Sequence, residues 1–261
     1  MAREKESSGA GPARVLAVLA FHKVGEPSPG GWETWYYNTE PEFVGYLTYL
    51  RDHDWRVIDA ATLVRGVSDP TALPDRAALL TFDDGYRSVL EVATPLLCRF
   101  GYPAVIFVPT ACVGLGSHSF DANSREPNEP LCDWDELREL ERCGVSVQSH
   151  GASHRAFSGL SLAQQESELR DSKDALEFQL GKPVELFSFP YGDGGADPEA
   201  VGGALRRVGY RAAFLYDGLA NPVPPSDPFR LSRLALGHWA IPQRELETLL
   251  EGGTAEHSGP G

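Results

Sequence analysis

The chain has 261 residues, 42% of them hydrophobic, enough for one large core and too many for a disordered chain. With 23 Lys and Arg against 37 Asp and Glu, its net charge is −14. That balance argues against a nucleic-acid partner, whose phosphates need a basic face, and against docking on an anionic membrane surface.

Residues 1–13 are polar and mixed in charge and read as a disordered start. The apolar run Arg14–Phe21 follows and ends in His22-Lys23 with no small-residue cleavage site, so it reads as a buried strand and not as a secretory signal. A loop at Val24–Asn38 carries Trp32, Trp35, Tyr36 and Tyr37. Thr39-Glu40-Pro41-Glu42 then forms a capping box with Pro in the first helical turn. Further strands are predicted at Trp55–Ile58, Ala77–Phe82, Ala104–Val108, Val145–Ser149, Glu185–Phe189, Arg211–Leu215 and Leu231–Leu236. Most are continuous apolar runs, the pattern of parallel strands buried on both faces.

Helices fill the intervals. Tyr86 to Phe100 is helical by pattern and stops at Gly101, with Pro95 expected to kink it or shift its start. Asp133, Ser161 and Asp197 open three more, ending at Gly144, Gly181 and Gly209. The alternation predicts one α/β domain over 14–251, barrel-like, with a disordered tail at 252–261. Long loops follow strands at Val24–Asn38, Val113–Pro130, Tyr191–Ala196 and Asp217–Pro228, the side where α/β active sites collect. No stretch approaches the ~18 apolar residues of a membrane span. Cys98, Cys112, Cys132 and Cys143 lack metal-finger spacing, so reduced thiols and a cytoplasmic protein are expected.

Two motifs carry chemistry. Thr81-Phe82-Asp83-Asp84-Gly85-Tyr86 places adjacent carboxylates at the end of an apolar strand, which is costly unless a cation sits there. Neighbouring strand residues point to opposite sides, so one carboxylate can ligate while the other handles protons; a plain turn and helix cap is the competing explanation. Ser149-His150-Gly151-Ala152-Ser153-His154 offers two histidines that meet one metal if the segment turns, although surface loop histidines share that spacing. Together, two His and one Asp make a metal triad with an open position.

These motifs, with Phe189-Pro190-Tyr191-Gly192, resemble motifs one, two and three of the polysaccharide deacetylase superfamily (NodB-homology domains, carbohydrate esterase family 4). Val18-Leu19-Ala20-Phe21-His22-Lys23-Val24 at the start most resembles the poly-N-acetylglucosamine deacetylase branch. The resemblance implies a distorted (β/α)7 barrel and metal-dependent hydrolysis of an N- or O-acetyl group. It implies a metal held by Asp84, His150 and His154, most suitably Zn²⁺, with Co²⁺ or Ni²⁺ as alternatives. It makes Asp83 the general base and the Tyr191 backbone N–H an oxyanion donor. Two histidines compete as general acid, His22 at the first strand end, which is preferred, and His238 in a late Leu-Gly-His sequence. Trp35, Tyr36, Trp134, His238 and Arg233 are the expected substrate contacts. The family's arginine before the third motif is replaced by Ser188, and Arg233 or Arg230 is expected to restore that charge beside Asp83. Asp133 is explained by helix capping, so no fourth-motif role is carried over to it.

The expected substrate is an intracellular acetylated amino sugar, glycoconjugate or sugar-containing metabolite. A cyclic-amide amidohydrolase on the same scaffold is the alternative. A catalytically silent carbohydrate-binding module is a further one, disfavoured because Asp83 and every metal ligand are intact.

Overall fold

A computed structural model describes residues 14–26, 36–118, 120, 128–237, 246 and 250. Seven parallel strands form its centre: β1 (Val15–Phe21), β2 (Arg76–Phe82), β3 (Ala104–Val108), β4 (Val145–Ser149), β5 (Leu186–Ser188), β6 (Ala212–Phe214) and β7 (Leu234–Ala235). Their spatial order is β6-β5-β4-β3-β2-β1-β7. The segment running into β7 links the two edges. Leu231 exchanges backbone hydrogen bonds with Ala213 and Leu215 on the β6 side, and Leu236 donates to Ala20 of β1. The result is a curled parallel sheet, a distorted (β/α)7 barrel, as the resemblance implied.

Alternation along the strands divides the core. Leu19, Phe21, Leu80, Phe82, Ile106 and Val147 pack against the helices. On the other strand face, Leu16, Val18, Leu79, Val105, Phe107 and Phe214 fill the barrel interior. The Phe107 and Phe214 rings lie 5.3 Å apart although β3 and β6 are not neighbours, so they meet across that interior. These side chains are almost wholly removed from water, and each contributes about 1.5–3 kcal/mol through burial.

The helices obey their caps. Helix α1 (Glu40–Asp52) starts from the Thr39–Glu42 capping box, and α2 (Ala60–Ser68) from Asp59. The segment from Tyr86 differs from a single helix. A π-helical turn over Val89–Ala93 runs into α3 (Thr94–Phe100), and Pro95, which has no N–H to donate, stands just past the junction. Asp133, Ser161 and Asp197 cap α4 (Trp134–Arg142), α5 (Leu162–Leu180) and α6 (Pro198–Val208). Among the described residues, no helix is long and apolar enough to cross a membrane. The termini expected to be disordered, 1–13 and 252–261, lie outside the described residues. The four cysteines are free thiols.

Register sets the site. β1 and β2 pair from Val15–Arg76 through Phe21–Phe82, so His22 and Asp83 leave the sheet side by side. Ser149 pairs with both Val108 and Phe187, and Ser188 pairs with Phe214. Phe82 pairs with Ile106, so the carboxyl ends of the six strands β1 to β6 open at one level.

Candidate active site

Asp83 and Asp84 follow β2, and His150 follows β4. His154 returns to the same place through a tight loop. Glu168 of α5 holds that loop by accepting hydrogen bonds from the Ala152 and Ser153 backbone N–H groups, both at 2.8 Å. Four non-glycine residues among those described have positive φ, and three of them are here: Asp84 (73°), His154 (56°) and Tyr191 (59°). Left-handed backbone costs of order 1–3 kcal/mol at such residues and persists where surrounding contacts enforce it, typically at functional sites.

Asp84 Oδ1 lies 3.1 Å from His154 Nε2 and 3.6 Å from His150 Nε2. Donor atoms from these three residues all fall within 4.8 Å of one another. His150 donates its Nδ1 proton to the Ser188 carbonyl at 2.7 Å, so the Nε2 lone pair is turned toward Asp84. Burial lowers the His150 pKa to about 4, keeping the ring neutral as a ligand must be. Asp84 Oδ1 is buried without a hydrogen-bond partner among the described residues. An ionised oxygen left that way in a dry site is costly. Two imidazoles and one carboxylate with an open side suit Zn²⁺, Co²⁺ or Ni²⁺. The residues present fit a divalent ion.

Asp83 is held differently. Arg233 makes two 2.8 Å hydrogen bonds to it, Nη1 to Oδ1 and Nη2 to Oδ2, and Nη2 also donates to Ser188 Oγ at 2.7 Å. The Arg233 side chain is fully buried on the barrel interior, with its guanidinium 5.6 Å from the Phe107 ring. Arg233, expected among the substrate contacts, faces Asp83 instead and supplies the charge that Ser188 cannot. Burial by itself would raise the Asp83 pKa. The Arg233 charge, then His150, the Arg233 hydrogen bonds and His22, outweigh it and hold the carboxyl below the usual range. Asp83 Oδ2 is 3.8 Å from His150 Nε2, so this carboxylate borders the Asp-His-His cluster.

His22 stands at the same level, 5.4 Å from the Tyr36 ring. Loss of hydration lowers its pKa, and the Asp84 and Asp83 charges only partly offset that. Tyr36 also takes the Lys23 ammonium 5.0 Å from its ring centroid, so it packs on the first strand end. Trp134 is half-buried against the strand–helix core, with no ring contact to the cluster among the described residues. Trp35 and His238 lie outside the described residues. Tyr191 packs its ring 4.7 Å from that of His154 and is itself exposed. Phe120, from the Val113–Pro130 loop, covers His154 at 4.5 Å.

Three contributors escaped sequence reasoning: Glu168, Phe120 and Tyr216. Tyr216 donates to Asp83 Oδ2 at 2.6 Å. It stands just past the predicted strand Arg211–Leu215, the position that Asp83 and His150 take after theirs, and that rule would have found it.

The strand ends of the barrel thus gather an arginine-held carboxylate beside an Asp-His-His cluster that could hold a divalent ion. The model of the polysaccharide deacetylase family matches residues 71–213, more than half of the chain, and the chain belongs to that family. It is 25% identical over 151 residues to YxkH of Bacillus subtilis, across 58% of this chain and 50% of that protein. The alignment thus spans half of that relative's length. It is 22% identical over 208 residues to the poly-β-1,6-N-acetyl-D-glucosamine N-deacetylase of Staphylococcus aureus, covering 76% of this chain and 67% of that one. The fold superposes on the Streptococcus pyogenes deacetylase PplD, solved with acetate, with a TM-score of 0.77 and 20% identity over 91% of this chain and 99% of the other.

Proposed function

We propose that the protein is a metal-dependent hydrolase that removes an N-acetyl group from an acetylated amino sugar, alone or within a glycoconjugate or sugar-containing metabolite. The observation that carries this reading is the Asp84–His150–His154 cluster with the separately held Asp83 beside it. The relatives named as poly-N-acetylglucosamine deacetylases support the choice of amide and sugar.

Asp84, His150 and His154 would hold the ion. When bound, such an ion lowers the pKa of water and polarises the acetyl carbonyl as a Lewis acid. Asp83 accepts the proton of the attacking water. Arg233 keeps that carboxylate ionised and fixes its plane with two parallel hydrogen bonds. The Tyr191 backbone N–H stabilises the developing oxyanion, a task that needs no particular side chain. His22 protonates the leaving amine. It leaves the first strand beside Asp83, within the same ring of strand ends.

The test measures acetate release from β-1,6-linked N-acetylglucosamine oligomers together with metal content. Asp83→Asn should keep its metal and lose turnover by roughly 10²–10⁴-fold, the usual worth of a general base. His150→Ala and His154→Ala should lose metal and activity together. Unaltered metal in both histidine variants, or an active Asp83→Asn protein, overturns the reading.

A further inference from the structure

We infer that Tyr216 is a positioning residue that joins base and acid into one unit, its hydroxyl fixed on Asp83 and its ring fixed along His22. The inference rests on the reading above, in which Asp83 is the base and His22 the acid.

Three donors define the Asp83 carboxylate: Arg233 Nη1 on Oδ1, and Arg233 Nη2 with the Tyr216 hydroxyl on Oδ2. Arginine alone fixes the carboxylate plane. The phenol adds a third point: with Arg233 Nη2 it fills both acceptor directions of Oδ2, so the direction left for water lies on Oδ1 and is fixed by all three bonds. The Tyr216 ring meanwhile runs parallel to the His22 imidazole, 11° between planes and 6.2 Å between centroids. The Arg233 guanidinium lies 4.1 Å from the same ring. One aromatic side chain thus touches the base, its counter-ion and the acid. Burial pushes the Tyr216 hydroxyl well above its usual pKa, so it stays protonated and remains a donor.

The third motif provides the seat. Gly192 has φ 68°, and a Cβ built there would fall 2.9 Å from Tyr216 Cβ and 3.0 Å from its backbone nitrogen. No side chain fits between them. The glycine after Pro190-Tyr191 therefore serves Tyr216 as well as the turn.

Two substrates separate the two contacts. An N-acetylglucosamine oligomer needs both a base and a protonated leaving amine. 4-Nitrophenyl acetate needs the base but expels a phenolate that requires no proton. Tyr216→Phe keeps the ring and loses the hydroxyl. Its kcat should fall about tenfold on both substrates by the same factor, with KM unchanged, the worth of one hydrogen bond to a charged group. Tyr216→Leu also loses the ring and should fall about tenfold further on the amide alone. Metal content should match wild type in both variants. The inference is overturned if Tyr216→Phe retains full activity on both substrates, if Tyr216→Leu loses both activities in parallel, or if either variant loses metal. Asp83→Asn and His22→Ala are measured beside them. If Asp83→Asn does not fall on both substrates and His22→Ala on the amide alone, the role assignment fails. If they do behave so and the tyrosine variants do not split, the inference about Tyr216 fails.

Discussion

Replacing Arg233 by leucine removes a side chain that is fully buried and makes three hydrogen bonds of 2.7–2.8 Å, two on Asp83 and one on Ser188. What remains is a buried carboxylate with Tyr216 as its one side-chain hydrogen-bond donor among the described residues. Breaking a buried pair from one side costs about 3–5 kcal/mol, because the surviving charge stays desolvated. The Tyr216 bond offsets part of this, which places the expected loss near the lower bound, about 3 kcal/mol. Asp83→Asn should also destabilise, by leaving the guanidinium unpaired. The double variant Asp83→Asn/Arg233→Leu removes both charges of the pair and should be more stable than the sum of the singles by at least about 2 kcal/mol. Urea unfolding followed by tryptophan fluorescence, in the presence of a chelator to keep metal binding out of the comparison, measures all four proteins. Arg233→Lys should not rescue, because an ammonium cannot reproduce two parallel bonds. Additive single losses, or an Arg233→Leu protein within about 1 kcal/mol of wild type, would refute the pairing as the source of stability at the base.

Other outcomes follow from the same geometry. Glu168→Gln weakens the loop between the two histidine ligands and should lower metal affinity about 10–100-fold, the usual worth of an outer partner, as read by competition with a chromogenic chelator. His22→Ala should reduce kcat on amide substrates more than His238→Ala does at equal metal content; the opposite ranking makes His238 the acid. Trp35→Ala should mainly raise KM for sugar substrates in steady-state assays, as expected when a stacking contact with the sugar face is removed.

The barrel strands were legible because parallel strands buried on both faces are written as continuous apolar runs, and they differ from the predicted ones by only a few terminal residues. Two-residue strands such as Lys23–Val24, Tyr37–Asn38 and the antiparallel Asn221–Pro222 lie in or at the edge of segments read as loops, too short to carry a pattern. The helix starts were legible because Thr39, Asp133, Ser161 and Asp197 each bond the backbone of their own first turn. The cluster of Asp84, His150 and His154 was legible through strand-end position and spacing. The environment of Asp83 was only half so. Ser188 showed that a charge was missing, yet its replacement lies 150 residues from Asp83 in the chain, and no local pattern separated Arg233 from Arg230. Tyr216 is 133 residues from Asp83 and carries no motif of its own. Trp134 illustrates the converse. An aromatic beside a capping residue attracts a functional reading, but its half-buried ring rests on the strand–helix core.

The most direct test of the central claim is elemental analysis of the purified protein alongside acetate release from N-acetylglucosamine oligomers, before and after chelation and with each of Zn²⁺, Co²⁺ and Ni²⁺ added back. The account predicts one divalent ion per chain, acetate release that disappears with the ion, and recovery of both when the ion is restored. Acetate release that survives complete metal removal, or a fully loaded protein that releases no acetate from any acetylated amino sugar, would contradict it.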